Sequence, residues 1–271
     1  MMRLIRADLY RILRGKMVYI TLAVMVIIIA ITVYAIRSSM VVGMYPGMLG
    51  EDFEDMMHGG PAIHETMDGA IAARMALDSM NNMIYVFLPL VIAVGMAAFS
   101  SGAIKNELSV GVGRAKFYLA KLTLGSVVCI AFVLMYFLLH VFMAVTIGGF
   151  GDWSNNLLTD ALIALGAHMF FTVAACSVGM FLCFVTRRTA AANGLYLAFA
   201  LVPIIVVGLL MIRFPSAAEY FGYDLGNQFY FFARAARLSG REIVRGIAVG
   251  LAYILVPTVA GIMLFKKAEI K

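Results

Sequence analysis

Apolar residues run along this chain in long blocks separated by short polar passages. Met17 to Ile36 carries no charge over twenty residues, which at about 1.5 Å per residue matches the roughly 30 Å hydrocarbon core of a bilayer. Comparable blocks occupy about 83–100, 122–147, 161–186, 189–212 and 244–265, so six transmembrane helices are expected. Only Arg187 and Arg188 divide the fourth block from the fifth, which predicts a tight helical hairpin. The fold class is therefore all-α integral membrane, with residues 1–271 forming a single transmembrane domain.

The polar passages have characters of their own. In 1–16, Met2, Ile5, Leu9, Ile12 and Leu13 gather on one side of a helix, with Arg3, Arg6, Tyr10 and Arg14 opposite, so an N-terminal amphipathic helix lying in the interface is expected. The first apolar block is longer than a signal-peptide core, and it reads as a retained signal anchor. The segment 37–82 is an outer loop rich in Gly and Met, and acidic. Helical spacing of Ile63, Met67, Ile71 and Met75 predicts an amphipathic piece there, packed on the outer face of the membrane. A second outer loop, 213–241, contains FYFFARAARL, a mixture of aromatics and arginine suited to an interfacial helix. Trp153, the single tryptophan, falls in a short loop at headgroup depth.

Composition agrees with this pattern, since 63% of the 271 residues are apolar and 13% charged. A net charge of +6 would point to nucleic acid in a soluble chain, but here the charges sort by side and no nucleic-acid partner is expected. One side collects Arg3, Arg6, Arg11, Arg14, Lys16, Lys105, Arg114, Lys116, Lys121, Arg187, Arg188, Lys266, Lys267 and Lys271 against Asp8, Glu107 and Glu269. The other holds the remaining acids and only arginines. The positive-inside rule makes the first side cytoplasmic and places both termini there. Cys129, Cys176 and Cys183 all lie within apolar blocks without CxxC spacing, so neither a disulfide framework nor a thiolate metal site is indicated.

Catalytic signals are sparse. Ion-driven carriers and membrane-embedded enzymes need ionisable groups inside the bilayer. The block interiors offer only His140 and His168, with Arg245 at the outer end of the last. Each histidine is expected to be neutral and bonded to a neighbouring helix. His58, His64, Glu65 and Asp68 fit no standard metal-ligand spacing, so no metal is expected. There is no HExxH, no GxSxG and no Walker A pattern, so this chain is not expected to be an enzyme, and energy for uphill transport must come from another polypeptide.

The one passage where a soluble partner could grip is 101–121, SGAIKNELSVGVGRAKFYLAK. Its charges could merely stop two spans at the interface, or they could transmit force. IKNELSVGVGRAKFYLAKL, set between two apolar spans, resembles the first cytoplasmic loop of bacterial type-2 ABC exporter permeases. Those proteins pair Lys and Glu before a Gly-containing turn, then place Arg, an aromatic and Lys. The matching positions are Lys105, Glu107, Gly111, Arg114, Tyr118 and Lys121, with Lys116 beside them. Gly113 stands where relatives often carry Ser, which would make the turn more permissive. The outer loop 37–82 resembles the antimicrobial-peptide and bacteriocin-immunity branch more than the polysaccharide branch.

The resemblance implies that 101–121 is a coupling loop seated in a cleft of a soluble ATP-binding subunit, present in two copies. It implies a second permease copy or a related chain, residence in the bacterial cytoplasmic membrane among its lipids, and ATP and Mg held by the partner subunit with no cofactor on this chain. The expected function is export of a hydrophobic or amphipathic peptide, lipid or drug, with a role in antimicrobial peptide resistance. A cargo path is expected along the second and fifth spans, bent at Pro89 and Pro203 and passing Gly95 and Met96. Two other readings stand beside it. One is a sensor or immunity protein whose acidic outer loop binds cationic peptides without transport; the other is an ion-coupled secondary carrier, which the lack of intramembrane carboxylates disfavours.

Overall fold

The computed structural model describes residues 2–37, 68–100, 102, 104, 111–153, 155–234 and 238–268. Among them there are helices and no strands. In order these are α1 (Met2–Leu13), α2 (Lys16–Arg37), α3 (Gly69–Asp78), α4 (Met83–Ser100), α5 (Arg114–Gly148), α6 (Asn155–Thr186), α7 (Thr189–Arg213), α8 (Leu225–Ala233) and α9 (Gly240–Lys267), with short 3-10 turns at Met80–Asn82 and Pro215–Tyr223. Six of them, α2, α4, α5, α6, α7 and α9, are long and apolar enough to cross a membrane, and the chain is a multi-pass membrane protein.

The helix α6 is the hub. It packs against α4, α5, α7 and α9 and also receives the short helices α3 and α8. Its small or compact inward residues Ala164, Ala174, Ala175, Cys176 and Ser177 are buried and let these neighbours come close, as membrane helices without a hydrophobic driving force require. By contrast, α2 buries a single stripe, Thr21, Met25, Ile29 and Val33 at intervals of four, against α4 and α5. Its remaining face, like those of α7 and α9, is aliphatic and exposed, the pattern of a lipid-facing surface.

Three helices begin before the apolar blocks do. The third span starts at Arg114 rather than Leu122, the fourth at Asn155 and the sixth at Gly240, where Ser239 and Glu242 form a capping box. The fourth and fifth are joined by Arg187 and Arg188 alone, as the hairpin reading requires, with Arg187 at φ 50 in the left-handed region. Both Pro89 and Pro203 lie inside unbroken helices.

The helix expected on the outer face is found inside the bundle. Most of α3 is buried, with Ala72, Ala73 and Ala76 fully enclosed and Met75 turned inward, against α5, α6 and α8. Its small side chains allow the close approach; Ile63 and Met67 lie outside the described residues. The Asp68 side chain caps it by accepting from the Ile71 amide at 2.9 Å, and its amide at Gly69 donates to the Gly149 carbonyl at 3.0 Å. Gly151, at φ +76, turns the chain against Asp68 where no Cβ could fit. At the other end, the Ser79 hydroxyl donates to Met75 O at 2.8 Å and meets the Tyr136 hydroxyl at 2.8 Å.

The aromatic segment expected at the interface is likewise tucked in. α8 buries Leu225, Gln228, Phe229 and Phe232 on α6, and Phe229 packs with Phe87, Phe171 and His168 at centroid distances of 6.5, 5.8 and 5.5 Å. Asp224 caps α8 by accepting from the Asn227 amide at 3.0 Å. Burial pushes this carboxyl above its ordinary value, while the Asn227 and Gly226 amides pull the other way. The ionised form is thus the costly one, so the stability it contributes is full below the ordinary carboxylate range and falls as pH rises through its raised value. Asp224→Asn keeps the capping oxygen without the charge and should melt at or above the wild-type temperature at pH 7, with the difference shrinking at pH 4. Asp224→Ala should lose about 1 kcal/mol at pH 4, where the carboxyl is neutral, and less at pH 7. Detergent-phase thermal melts of the two variants check this, and a destabilised Asn variant at pH 7 would count against it.

Candidate functional site at the basic end of the bundle

Where α1, the start of α5, the Arg187–Arg188 turn and the end of α9 meet, the expected coupling residues divide into three groups. Lys105 and Glu107 lie outside the described residues. Gly111 is exposed at φ +88, a left-handed conformation with open space around it that glycine adopts without strain. Gly113 sits at φ −61 and ψ 137, ordinary extended backbone, and serves as the N-cap of α5, so its extra freedom is not used there. Arg114, Tyr118 and Lys121 are on α5 itself and turn toward the bundle.

Each of the three is held by a different element. One Arg114 nitrogen donates to the carbonyls of Phe265, Lys266 and Ala268 at 3.1, 2.7 and 2.7 Å. These are carbonyls of the last helical turn, or just after it, that α9 cannot satisfy internally, so a cation from α5 closes the negative end of α9. Tyr118 is fully buried, 4.7 Å from the Phe184 ring, and rests on Gly261, where a Cβ would come within 2.6 Å of its hydroxyl. Lys121 is fully buried and pairs with Asp8 at 2.5 Å, with the Phe117 ring 5.2 Å away.

Asp8 explains an oddity of α1. It lies on the inner stripe with Ile5, Leu9 and Ile12, while Leu13, expected inward, is half exposed at 50%. The acid belongs on that stripe because its partner comes from α5, at a separation of 113 residues. Around these contacts Phe99 from α4, Phe117 from α5, Phe184 from α6 and Phe265 from α9 form a knot. Phe184 meets Phe99, Phe117 and Phe265 at 5.2, 6.0 and 4.8 Å, in edge-to-face geometries. The polar passage is therefore anchored on both sides: Phe99 precedes it and Arg114 to Lys121 follow it. Spacing alone could not find Asp8 or Phe184; an acid on an otherwise apolar stripe was the available signal.

What remains outward is basic. Lys116, Arg187, Arg188, Lys266 and Lys267 are all exposed at this end, and Asp8 on the adjoining α1 is engaged with Lys121.

The residues expected along a cargo path differ in their surroundings. Gly95 and Met96 are buried, and a Cβ on Gly95 would come within 2.8 Å of Cys183, so this glycine sets the α4–α6 approach. Pro89 and Pro203 are half-buried. His168 faces the backbone and ring of Phe229 on the neighbouring α8. His168 Nδ1 lies 2.5 Å from the Ala164 carbonyl of its own helix, and His140, fully buried, has no hydrogen-bond partner and packs 4.8 Å from the Tyr136 ring. No group of three or more His, Cys, Asp or Glu residues able to hold a metal occurs among the described residues.

No protein-family model matches the chain, and no curated protein matches it.

Proposed function

We propose that this chain is the permease subunit of an ATP-driven exporter, moving a hydrophobic or amphipathic peptide, lipid or drug with energy from a separate ATP-binding subunit. The supporting observation is the anchoring of the passage 101–113. Its flanks are tied to α1 by Lys121 and Asp8, to α9 by Arg114, and to α6 and α4 by the aromatic knot. A push on such a passage moves helix ends together, because packed side chains do not compress. In this reading the basic end is cytoplasmic, and Lys116 with its exposed neighbours faces an acidic rim on the ATPase. Two permease copies and two ATPase copies form the working unit. Closure of the ATPase pair on ATP drives the permeases between states open to opposite sides. The acidic outer loop draws cationic cargo toward the opposite face.

A soluble Walker-type ATPase encoded beside this chain should stay bound to it through detergent extraction. Lys116→Glu, an exposed site that leaves the bundle intact, should weaken that association about fivefold or more, and the loss should deepen with salt. Glu107→Ala should uncouple cargo-stimulated ATP hydrolysis. Native membranes yielding no bound ATPase would overturn the proposal.

A further inference from the structure

An apolar groove of about 420 Å³ opens between α6, α7 and α9, walled by Val178, Leu182, Phe199, Ala252, Val256 and Pro257. Its walls present only apolar surface. Its floor runs on toward the start of α9: Phe199 meets Tyr253 edge to face at 5.7 Å, and Tyr253 donates to the Tyr223 carbonyl at 3.4 Å. The Arg245 guanidinium lies 6.0 Å from the Tyr223 ring centroid. Gly222 makes room for it, since a Cβ there would stand 2.7 Å from the guanidinium carbon.

Arg245 and Ala252 are two helical turns apart and share one stripe of α9. From Arg245 to Pro257 the helix rises about 18 Å, close to the ~15 Å depth of one leaflet. The cation is half-buried, and neither ion pair among the described residues includes it. Glu242, one turn away, is engaged first by the Ser239 amide and hydroxyl at 2.8 and 2.7 Å, and Arg245 adds a weaker electrostatic pull on it. The groove is lined on α9 from Ala252 to Pro257, and a cation two turns beyond its end calls for an anion that carries its own apolar chain.

We propose that this groove holds one acyl chain of an anionic glycerophospholipid whose phosphate is bound by Arg245. Val256, 67% exposed at the mouth, and Leu255, 56% exposed beside it, open onto the lipid-facing side. A second copy offering its α7 would bring aliphatic side chains but no anion, because that helix contains no acidic residue. The site stands apart from the coupling region and does not depend on the transport reading.

The test is native mass spectrometry of the full chain in detergent, titrated with phosphatidylglycerol and with phosphatidylcholine of identical acyl chains. Phosphatidylglycerol should bind about fivefold more tightly, the contribution of one basic side chain to an anionic headgroup. Arg245→Gln should make the two lipids bind alike, and Arg245→Lys should keep most of the preference. Val256→Trp, filling the mouth, should weaken both lipids. Equal binding to the wild type, a preference that survives Arg245→Gln, or unchanged binding to the Val256→Trp variant would each overturn the site. So would efficient disulfide cross-linking of Val256→Cys between copies in native membranes, which would assign the groove to a second chain.

Discussion

Asp8→Ala should lower the stability of the bundle by about 3–5 kcal/mol, because it leaves Lys121 charged, buried and unpaired. Nothing in α1 alone foretells so large an effect, since an acid near the start of a basic interfacial helix would ordinarily be solvated. The geometry makes the difference: both side chains are at least 95% enclosed, with 0% and 5% exposure, and their separation is 2.5 Å. Detergent-phase unfolding of the purified chain measures the loss, and a change below about 1 kcal/mol would show that water or lipid phosphate reaches Lys121 after all. The double variant Asp8→Leu with Lys121→Met should regain most or all of it, as apolar replacements of buried pairs usually do. If the pair also carries motion from the polar passage into α1, that double variant will be stable yet couple ATP hydrolysis to transport poorly. Full coupling in a stable double variant would confine the pair to a structural role.

Tyr118→Ala should cost about 3–5 kcal/mol by leaving a cavity among Phe117, Phe184 and Gly261. The companion change, Gly261→Leu, should cost about 1–3 kcal/mol in the wild type by forcing new carbon onto the Tyr118 ring. Combined, each relieves the other: the leucine enters the space the ring vacated, and the double variant should be more stable than Tyr118→Ala alone. Strictly additive losses would mean that the two residues do not share the contact the close approach implies. The hydroxyl itself contributes little, since it is buried without a hydrogen-bond partner. Tyr118→Phe should accordingly be neutral or slightly stabilising.

The parts of this fold that sequence makes legible are those set by one segment acting alone. Apolar runs of membrane length, with Arg245 the one charge among them, mark the six crossings, and Arg187 with Arg188 marks the hairpin between α6 and α7. What depends on distant partners was not legible. Arg114 and Lys121 look like charges that end a span at the headgroups, yet the helix starts at Arg114 and runs through Lys121, because α9 supplies carbonyls to one and α1 a carboxylate to the other. A different cause hid α3, the small size of its inward side chains. Its methionine and isoleucine spacing reads as a surface helix, whereas the alanines at 72, 73 and 76 mark the face that presses into the bundle. The residues proposed for coupling are singled out as a group by the resemblance, but their division into outward and inward members required coordinates. Lys116 faces out, and Arg114, Tyr118 and Lys121 face in.

The Arg114 clamp also bears on the order in which the molecule can be built. Its acceptors lie 151 to 154 residues further along the chain. While the ribosome is still making α6 and α7, that guanidinium lacks its acceptors at Phe265, Lys266 and Ala268, and Tyr118 and Phe184 lack the wall that Gly261 and Phe265 later provide. Insertion of α9 therefore does more than add a sixth crossing: it completes a knot whose first half has been waiting since α5. Nascent chains truncated before α9 should be recognised by membrane proteases as unfinished, which makes the last helix the quality checkpoint of the whole bundle.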